Sequence, residues 1–434
     1  MTAGLEDPNL LALLDRVYDP EIGLIQSIVE VPLQTTDAEL YIFVAEFQNP
    51  FSRPGVERSE RQAVTQGSGA GLNRIDALWS TIGECLERYA AHVCESDGLL
   101  IASGRNLADK DRLSPERLIF FTDDQYSAPD FSFVRYDDSL ESGWVPAKNL
   151  TTGSNALVPA SFTYLGYEGR PHEQHDAGYS TGCAAGKSVD HALLSGLLEV
   201  IERDSFSVHW NLRRSPPEIN LANHTDRLPA TMLHLLASAP VKLRFFDITT
   251  DLGVPSVLAA GYLAEGRGLA IGASTRLFLS DAIIEAAVEA FHTANWIFDM
   301  RRRGDVVPSR QELGEFRDHV LYYTHPENSE AASFLFEGNE QRVPAAVFDR
   351  DGSPLEQLIE HLRTRNRHCY AADIAPTEFR DLNVPVMRTF INDVQPLSCG
   401  SGRQHLDTRR LIEFSDALKQ PFRGYINDRP HPFP

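Results

Sequence analysis

The stretch Ser180-Thr-Gly-Cys-Ala-Ala-Gly-Lys-Ser-Val-Asp-His-Ala-Leu-Leu-Ser-Gly-Leu-Leu-Glu-Val-Ile-Glu-Arg203 reads as a glycine-rich turn running into an apolar helix. At about 100° per residue the helix splits into two faces. Leu193, Leu197, Val200 and Ile201 line one side. His191, Ser195, Glu199, Glu202 and Arg203 fall within roughly a third of the circumference on the other. Taken alone, this is a core helix with a solvated charged face. Its recurrence changes the reading.

Three segments align without gaps. The first carries Asp76-Ala77, Ser80, Glu84, Glu87 and Arg88. The second carries His191-Ala192, Ser195, Glu199, Glu202 and Arg203. The third carries Asp281-Ala282, Glu285, Glu289, His292 and Thr293. The Ala-to-Glu spacing is seven in each, and small-residue turns precede them at Gly67–Gly71, Gly182–Gly186 and Gly272-Ala273-Ser274. In the first helix Ser80, Glu84 and Glu87 share about 60° of arc. Chance solvated faces do not share a register, so the repeat points to a site. Glycine turns at helix N-termini present N–H groups to an anion. Glutamates without balancing lysines repel one another unless they hold a hard cation such as magnesium, which in turn holds phosphates. Arg88 and Arg203 supply forked donors to phosphate oxygens. These are parts of a nucleoside triphosphate site. It is not a P-loop: before Gly186-Lys187-Ser188 the first glycine of that motif is replaced by Thr181, and His172 to Ser180 is too polar for the buried strand the motif requires.

Around this centre the chain reads as a mixed α/β (α+β) fold. A helix is expected at 9–18 and strands at 28–31 and 39–46. Further helices are expected at 76–95, 280–300 and 354–363, the glycine turn with its helix occupies 180–210, and strands are expected at 241–247, 255–273 and 382–391. The expected organisation is a small N-terminal α/β segment at 1–60 and one large domain at 61–434. The 434 residues suffice for a large core.

Composition excludes several classes. With 40 basic and 61 acidic side chains the net charge is −21, which repels a nucleic-acid backbone. Five cysteines, none in a C-x-x-C pair, fit a reducing compartment better than a disulfide scaffold. Cys183 has no identifiable His or Asp partner, so a nucleophilic role is disfavoured. No secretory signal or membrane-length apolar run is visible, and the expected location is the cytoplasm.

Ser80-Thr-Ile-Gly-Glu-Cys-Leu-Glu-Arg-Tyr89 resembles the first motif of the YcaO family, and the stretch ending Leu198-Glu-Val-Ile-Glu-Arg-Asp204 resembles the second. Gly143-Trp-Val-Pro-Ala-Lys-Asn-Leu-Thr-Thr-Gly153, Leu157-Val-Pro-Ala160, and Ser114-Pro115 with Phe120 to Tyr126 after it are similar to the azoline-forming branch. So is the tail Pro430-His-Pro-Phe-Pro434.

This resemblance implies a YcaO fold with mixed or antiparallel sheets. It also implies ATP-dependent cyclodehydration of a ribosomally made precursor peptide. A substrate Cys, Ser or Thr attacks the preceding amide, ATP phosphorylates the oxyanion, and loss of phosphate leaves a thiazoline or oxazoline. By matching position, Ser80, Glu84, Glu87, Arg88, Lys187, Ser195, Glu199, Glu202, Arg203, Arg276 and Glu289 hold ATP. Glu84, Glu87, Glu199 and Glu202 hold magnesium. Glu87, Glu202, Arg203 and the carboxylate of Pro434 serve catalysis. Three positions depart from the family: His191 replaces a glutamate, Glu285 an arginine, and Gly67-Ser-Gly69 a Gly-Lys-Gly turn. The absence of a fused ubiquitin-activating-enzyme-like domain implies a separate leader-binding partner of that kind. A flavin-dependent dehydrogenase and a homodimer are further expectations. The alternatives are a YcaO enzyme that forms thioamides or amidines, and a non-catalytic scaffold.

Overall fold

A computed structural model describes residues 6–52, 65–264, 268–338, 342–379 and 381–434. Its strands form three antiparallel sheets. The first contains β1 (Ile25–Glu30), β2 (Tyr41–Phe47) and β3 (Gln66–Gly71), in that order. β4 (Leu100–Ser103), β5 (Glu141–Asn149), β6 (Asn155–Pro159) and β7 (Cys183–Ala185) belong to the largest. A separate three-stranded sheet holds β8 (Arg244–Asp247), β9 (Ser256–Tyr262) and β10 (Leu269–Thr275). β11 (Cys369–Asp373) and β12 (Val386–Ile391) complete the largest, in the order β4-β5-β11-β12-β7 with β6 beside β5.

The three repeat helices are Arg74–His92, Val189–Asn211 and Leu279–Arg303. The Asn73 side chain caps the first by accepting from Asp76 N–H, and Ser188 caps the second by accepting from His191 N–H. The third ends on Gly304, whose φ of 73° suits a left-handed cap.

The glycine-rich segments expected to be turns are largely strands: β3, β7 and β10, with Gly182 (φ of 86°) still in a turn just before β7. The reason is close packing. A Cβ on Gly69 would sit 2.3 Å from Thr81 N, and one on Gly272 would sit 2.4 Å from Ala290 N. Only glycine lets these strands lie directly on the backbone of the helix that follows. Each repeat is therefore a strand–helix unit.

The units also close on one another. The first helix packs on β3 and β7, the second on β7 and β10, and the third on β10 and β3. Two expected strands change. The segment 255–273 is the hairpin β9–β10, paired from Ser256↔Thr275 to Tyr262↔Leu269. The strand expected from 382 starts at Val386, because Asn383 adopts a φ of 53°. β2 pairs with β3 across the expected boundary near residue 60, so the N-terminal segment supplies two strands to the first repeat's sheet.

The core follows the repeats. Leu78, Ile82, Cys85 and Leu86 pack against β2, β5 and β6 residues. Leu193, Leu197 and Ile201 pack on Leu355, Leu358 and Leu362 of the helix Pro354–Arg363. Phe206 and Trp210 share a cluster with Ile271, Tyr323 and Phe433. Each such side chain contributes about 1.5–3 kcal/mol by leaving water. Among the described residues no helix is long and apolar enough to cross a membrane.

Candidate nucleotide and amide site

The register of seven has one structural purpose in all three repeats. Glu84 accepts the N–H of Ser68 at 2.5 Å, Glu199 that of Gly182 at 3.0 Å, and Glu289 that of Ala273 at 2.7 Å. Each glutamate ties its helix to the glycine-rich strand before it. The strand N–H groups expected to face an anion are thus already occupied by carboxylates. For Gly182 this also removes the cradle a P-loop would need.

Three residues further on, the helices reach the next repeat. Glu202 accepts the N–H of Thr275 on β10 at 3.2 Å. Glu87 lies where its charge raises the Cys183 thiol on β7. His292 takes the equivalent position in the third helix, and burial pushes it down to about 4. The ring of acids is open there.

Arginines interleave with the acids. Arg88 pairs with Glu84 at 2.6 Å. Arg203 lies 3.4 Å from Glu199 and 3.7 Å from Glu202. Arg276 bonds the Thr275 carbonyl at 2.9 Å and lies 3.8 Å from Glu285. Positive charge remains short of what the acids require. Burial, then the charges of Glu199 and Glu84, hold the Glu87 carboxyl well above the ordinary range. Burial pushes Glu202 up to about 8, with Glu289 and Glu199 adding to it against Arg203 and Arg276. Burial also pushes Glu289 up to about 7.

The structure brings Glu84, Glu87, Arg88, Glu199, Glu202, Arg203, Arg276 and Glu289 into this cluster. Ser80 is exposed beside Gly69, and Ser195 is half-buried on the second helix. Lys187 lies over the Trp79 ring at 4.8 Å, and Trp79 in turn donates to Asp7 at 2.9 Å. Burial, then the charges of Lys187 and Arg276, lower His191, so two cations and a neutral imidazole form one rim.

Two site residues escape the sequence reading. Arg388 on β12 faces Cys183 on β7, donating to its thiol at 3.2 Å, and its charge lowers Glu87. A lone arginine inside the apolar run Val386–Ile391 is the signal that marks it. Burial pushes Cys183 up to about 11, which leaves it a thiol rather than a nucleophile. Phe433 is the second: its ring lies 4.4 Å from the Arg203 guanidinium.

The tail is pinned, not frayed. Trp210 donates to the Arg429 carbonyl at 3.0 Å, Tyr323 to the Pro430 carbonyl, and His319 to the His431 carbonyl at 2.9 Å. Phe433 N–H donates to His431 Nδ1 at 3.2 Å, so His431 Nε2 donates to the Ser398 carbonyl. Pro434 follows Phe433 and is half-buried.

Among the described residues no three His, Cys, Asp or Glu side chains stand close enough together to hold a metal ion by themselves. The donor set nevertheless fits an anion carried with a hard cation. The acids repel one another, and buried Arg203 Nη1 and Arg388 Nε make no hydrogen bond.

The YcaO family model, described as "YcaO cyclodehydratase, ATP-ad Mg2+-binding", matches residues 68–394. A protein of Methanothermobacter thermautotrophicus is 30% identical over 238 residues, covering 53% of this chain and 57% of that protein. The fold is similar to that of a heterocyclase in complex with substrate and cofactor, with a TM-score of 0.79 at 19% identity over 98% of this chain and 57% of that one. It is also similar to YcaO from Methanopyrus kandleri bound with AMPPCP and Mg2+, with a TM-score of 0.59 at 20% identity over 91% and 92% of the two chains. The chain spans about half the length of the curated relatives it matches.

Proposed function

The chain belongs to the YcaO family, and we propose that it is an ATP- and magnesium-dependent cyclodehydratase. Its substrates are Cys, Ser or Thr residues of a ribosomally made precursor peptide, and its products are thiazolines or oxazolines. One observation carries this reading: three strand–helix repeats close into a ring that gathers five glutamates with arginines whose buried donors lack acceptors. The family description and the AMPPCP and Mg2+ bound by the Methanopyrus relative support nucleotide at such a site.

When bound, magnesium–ATP supplies the phosphoryl group that turns the amide oxygen into a leaving group. Glu84, Glu87, Glu199 and Glu202 would hold the cation. Arg88, Arg203 and Arg276, with the Lys187 rim, would hold phosphate oxygens, and Ser80, Ser195 and Glu289 would complete the nucleotide's surroundings. Arg203 is placed to neutralise charge developing on the amide oxygen, because it lies between the acids and the tail. Burial raises Glu202 and Glu289 in the ligand-free chain; a bound cation would offset this at Glu202 by holding it as the carboxylate, which would leave Glu289 suited to hold and release a proton. Phe433 under Arg203 sits one residue before Pro434, whose carboxyl would position substrate or move a proton. The buried Pro430–Pro434 tail favours azoline formation over thioamide or amidine chemistry.

The coarser partner reading is a peptide substrate with helper proteins. A ubiquitin-activating-enzyme-like leader-binding protein, a flavin-dependent dehydrogenase, a homodimer and a cytoplasmic location complete the proposal. The test combines the chain with a leader-binding protein and its precursor peptide. Peptide-dependent ATP hydrolysis and loss of one water per ring by mass spectrometry are expected, and Glu87→Gln should abolish both. Water loss that persists in Glu87→Gln would sink the assignment.

A further inference from the structure

Beside the acid cluster lies a cleft open to solvent. Leu118, Phe162, Phe390 and Val394 give it apolar walls, while Arg203, Arg388 and Gln395 reach it with polar groups. Two of those polar side chains are buried without a full set of partners. Arg388 is 5% exposed and its Nε has no acceptor. Gln395 is 0% exposed and its Oε1 has no donor. The orientation of that amide is settled by its other end, since Gln395 Nε2 donates to the His405 carbonyl at 3.3 Å. Arg203 Nη1 also makes no hydrogen bond. Buried polar groups are normally satisfied, so unpaired donors and an unpaired acceptor converging on one cleft call for a ligand that carries both.

We propose that this cleft binds the substrate peptide at the amide to be cyclised. Its carbonyl is held by Arg203 and Arg388, a neighbouring N–H by Gln395 Oε1, and an adjacent apolar side chain by the Phe162–Phe390–Val394 walls. A peptide group has one donor and one acceptor, which is the complement the cleft lacks. Arg203 belongs to both the cleft and the acid cluster, lying 3.4 Å from Glu199. The amide oxygen is therefore presented on the side where the phosphoryl donor is proposed, and the two guanidinium groups face the charge that grows on it as the substrate's side chain attacks. Arg388 and Gln395 become substrate-binding residues, and the walls favour an apolar residue next to the ring-forming one. This inference rests on the cyclodehydratase reading.

The test uses the full chain and N-acetyl-Ala-Phe-Cys-Gly-amide as probe. Binding is read by saturation-transfer NMR with and without magnesium–AMPPCP. Peptide and nucleotide should bind together. Phe→Gly in the probe, and Val394→Trp in the protein, should each weaken the peptide about tenfold while nucleotide affinity stays within about twofold. Competition between peptide and nucleotide, or equal peptide binding by Val394→Trp, would overturn the proposal. If Val394→Trp fails to fold, photocrosslinking from p-benzoylphenylalanine at Leu118 decides. Attachment to the probe's Phe or Cys is expected, and absence of attachment under conditions where nucleotide binds overturns the proposal. Absence of nucleotide binding itself would instead count against the cyclodehydratase reading.

Discussion

One turn of the second helix takes part in two ionic clusters built to opposite rules. Asp204 looks into the core. It accepts both Arg410 Nε and Nη2 at 2.8 Å and the Gln395 N–H at 2.7 Å. Arg410 also donates to Asp251 at 2.7 Å. The Asp204 and Arg410 side chains are 0% exposed, and the flanking acids hold Arg410 well above its ordinary range. One and two positions before it, Arg203 and Glu202 face the ring centre. There five glutamates share their surroundings with Arg88, Arg203, Arg276 and Arg388, two carboxyls are pushed towards or above neutrality, and two buried arginine nitrogens lack acceptors. The first cluster pairs its charges at short range and leaves only Arg410 Nη1 without a hydrogen bond, 3.5 Å from Glu413, which is how a structural ion pair offsets its desolvation. The second is left for a ligand to complete.

The sharpest way to break this contrast is Arg410→Met. It strands Asp204 in the core and should cost about 3–5 kcal/mol in urea unfolding. Glu87→Gln should do the reverse. Stability should hold within about 0.5 kcal/mol or rise, because a repelled carboxyl is removed, while peptide-dependent ATP hydrolysis falls about 100-fold or more.

The pH dependence of ligand-free stability sharpens the comparison. Glu202 and Glu289 titrate higher folded than unfolded, so between their ordinary 4.5 and about 7 to 8 the folded chain binds more protons. Their contribution is present below pH 4.5 and is lost as pH rises through about 7 and then about 8. Each adds a decline of at most about 1.4 kcal/mol per pH unit. Thermal unfolding across this range should show the decline, and magnesium–AMPPCP should flatten it. The smallest effect belongs to Cys183→Ala. Hydrolysis should stay within about threefold, with a stability loss of about 1 kcal/mol measured by the same unfolding. A 100-fold rate loss would return the thiol to the chemistry.

The helix register was legible because it is local. Ala77, Ala192 and Ala282 each lead their glutamate by seven, and 3.6-residue periodicity places those side chains without any knowledge of partners. The role of the glycines was misread for the opposite reason. A turn and a strand flattened on a helix use the same small residues, and only the approach of Thr81 or Ala290 distinguishes them. The hairpin β9–β10 was hidden because both strands are buried, leaving no alternation to break the run.

By itself the sequence determined the threefold repeat, its acids and their forked arginines, and hence a site that favours cations and phosphates. Tertiary structure decided that Glu84, Glu199 and Glu289 secure the strands and that the repeats close into a ring. It also decided that Arg388, Gln395 and Phe433 converge beside Arg203. Those three come from segments up to 230 residues away along the chain. No local period encodes such a meeting, which exists only once packing has brought β12 and the tail against the second helix.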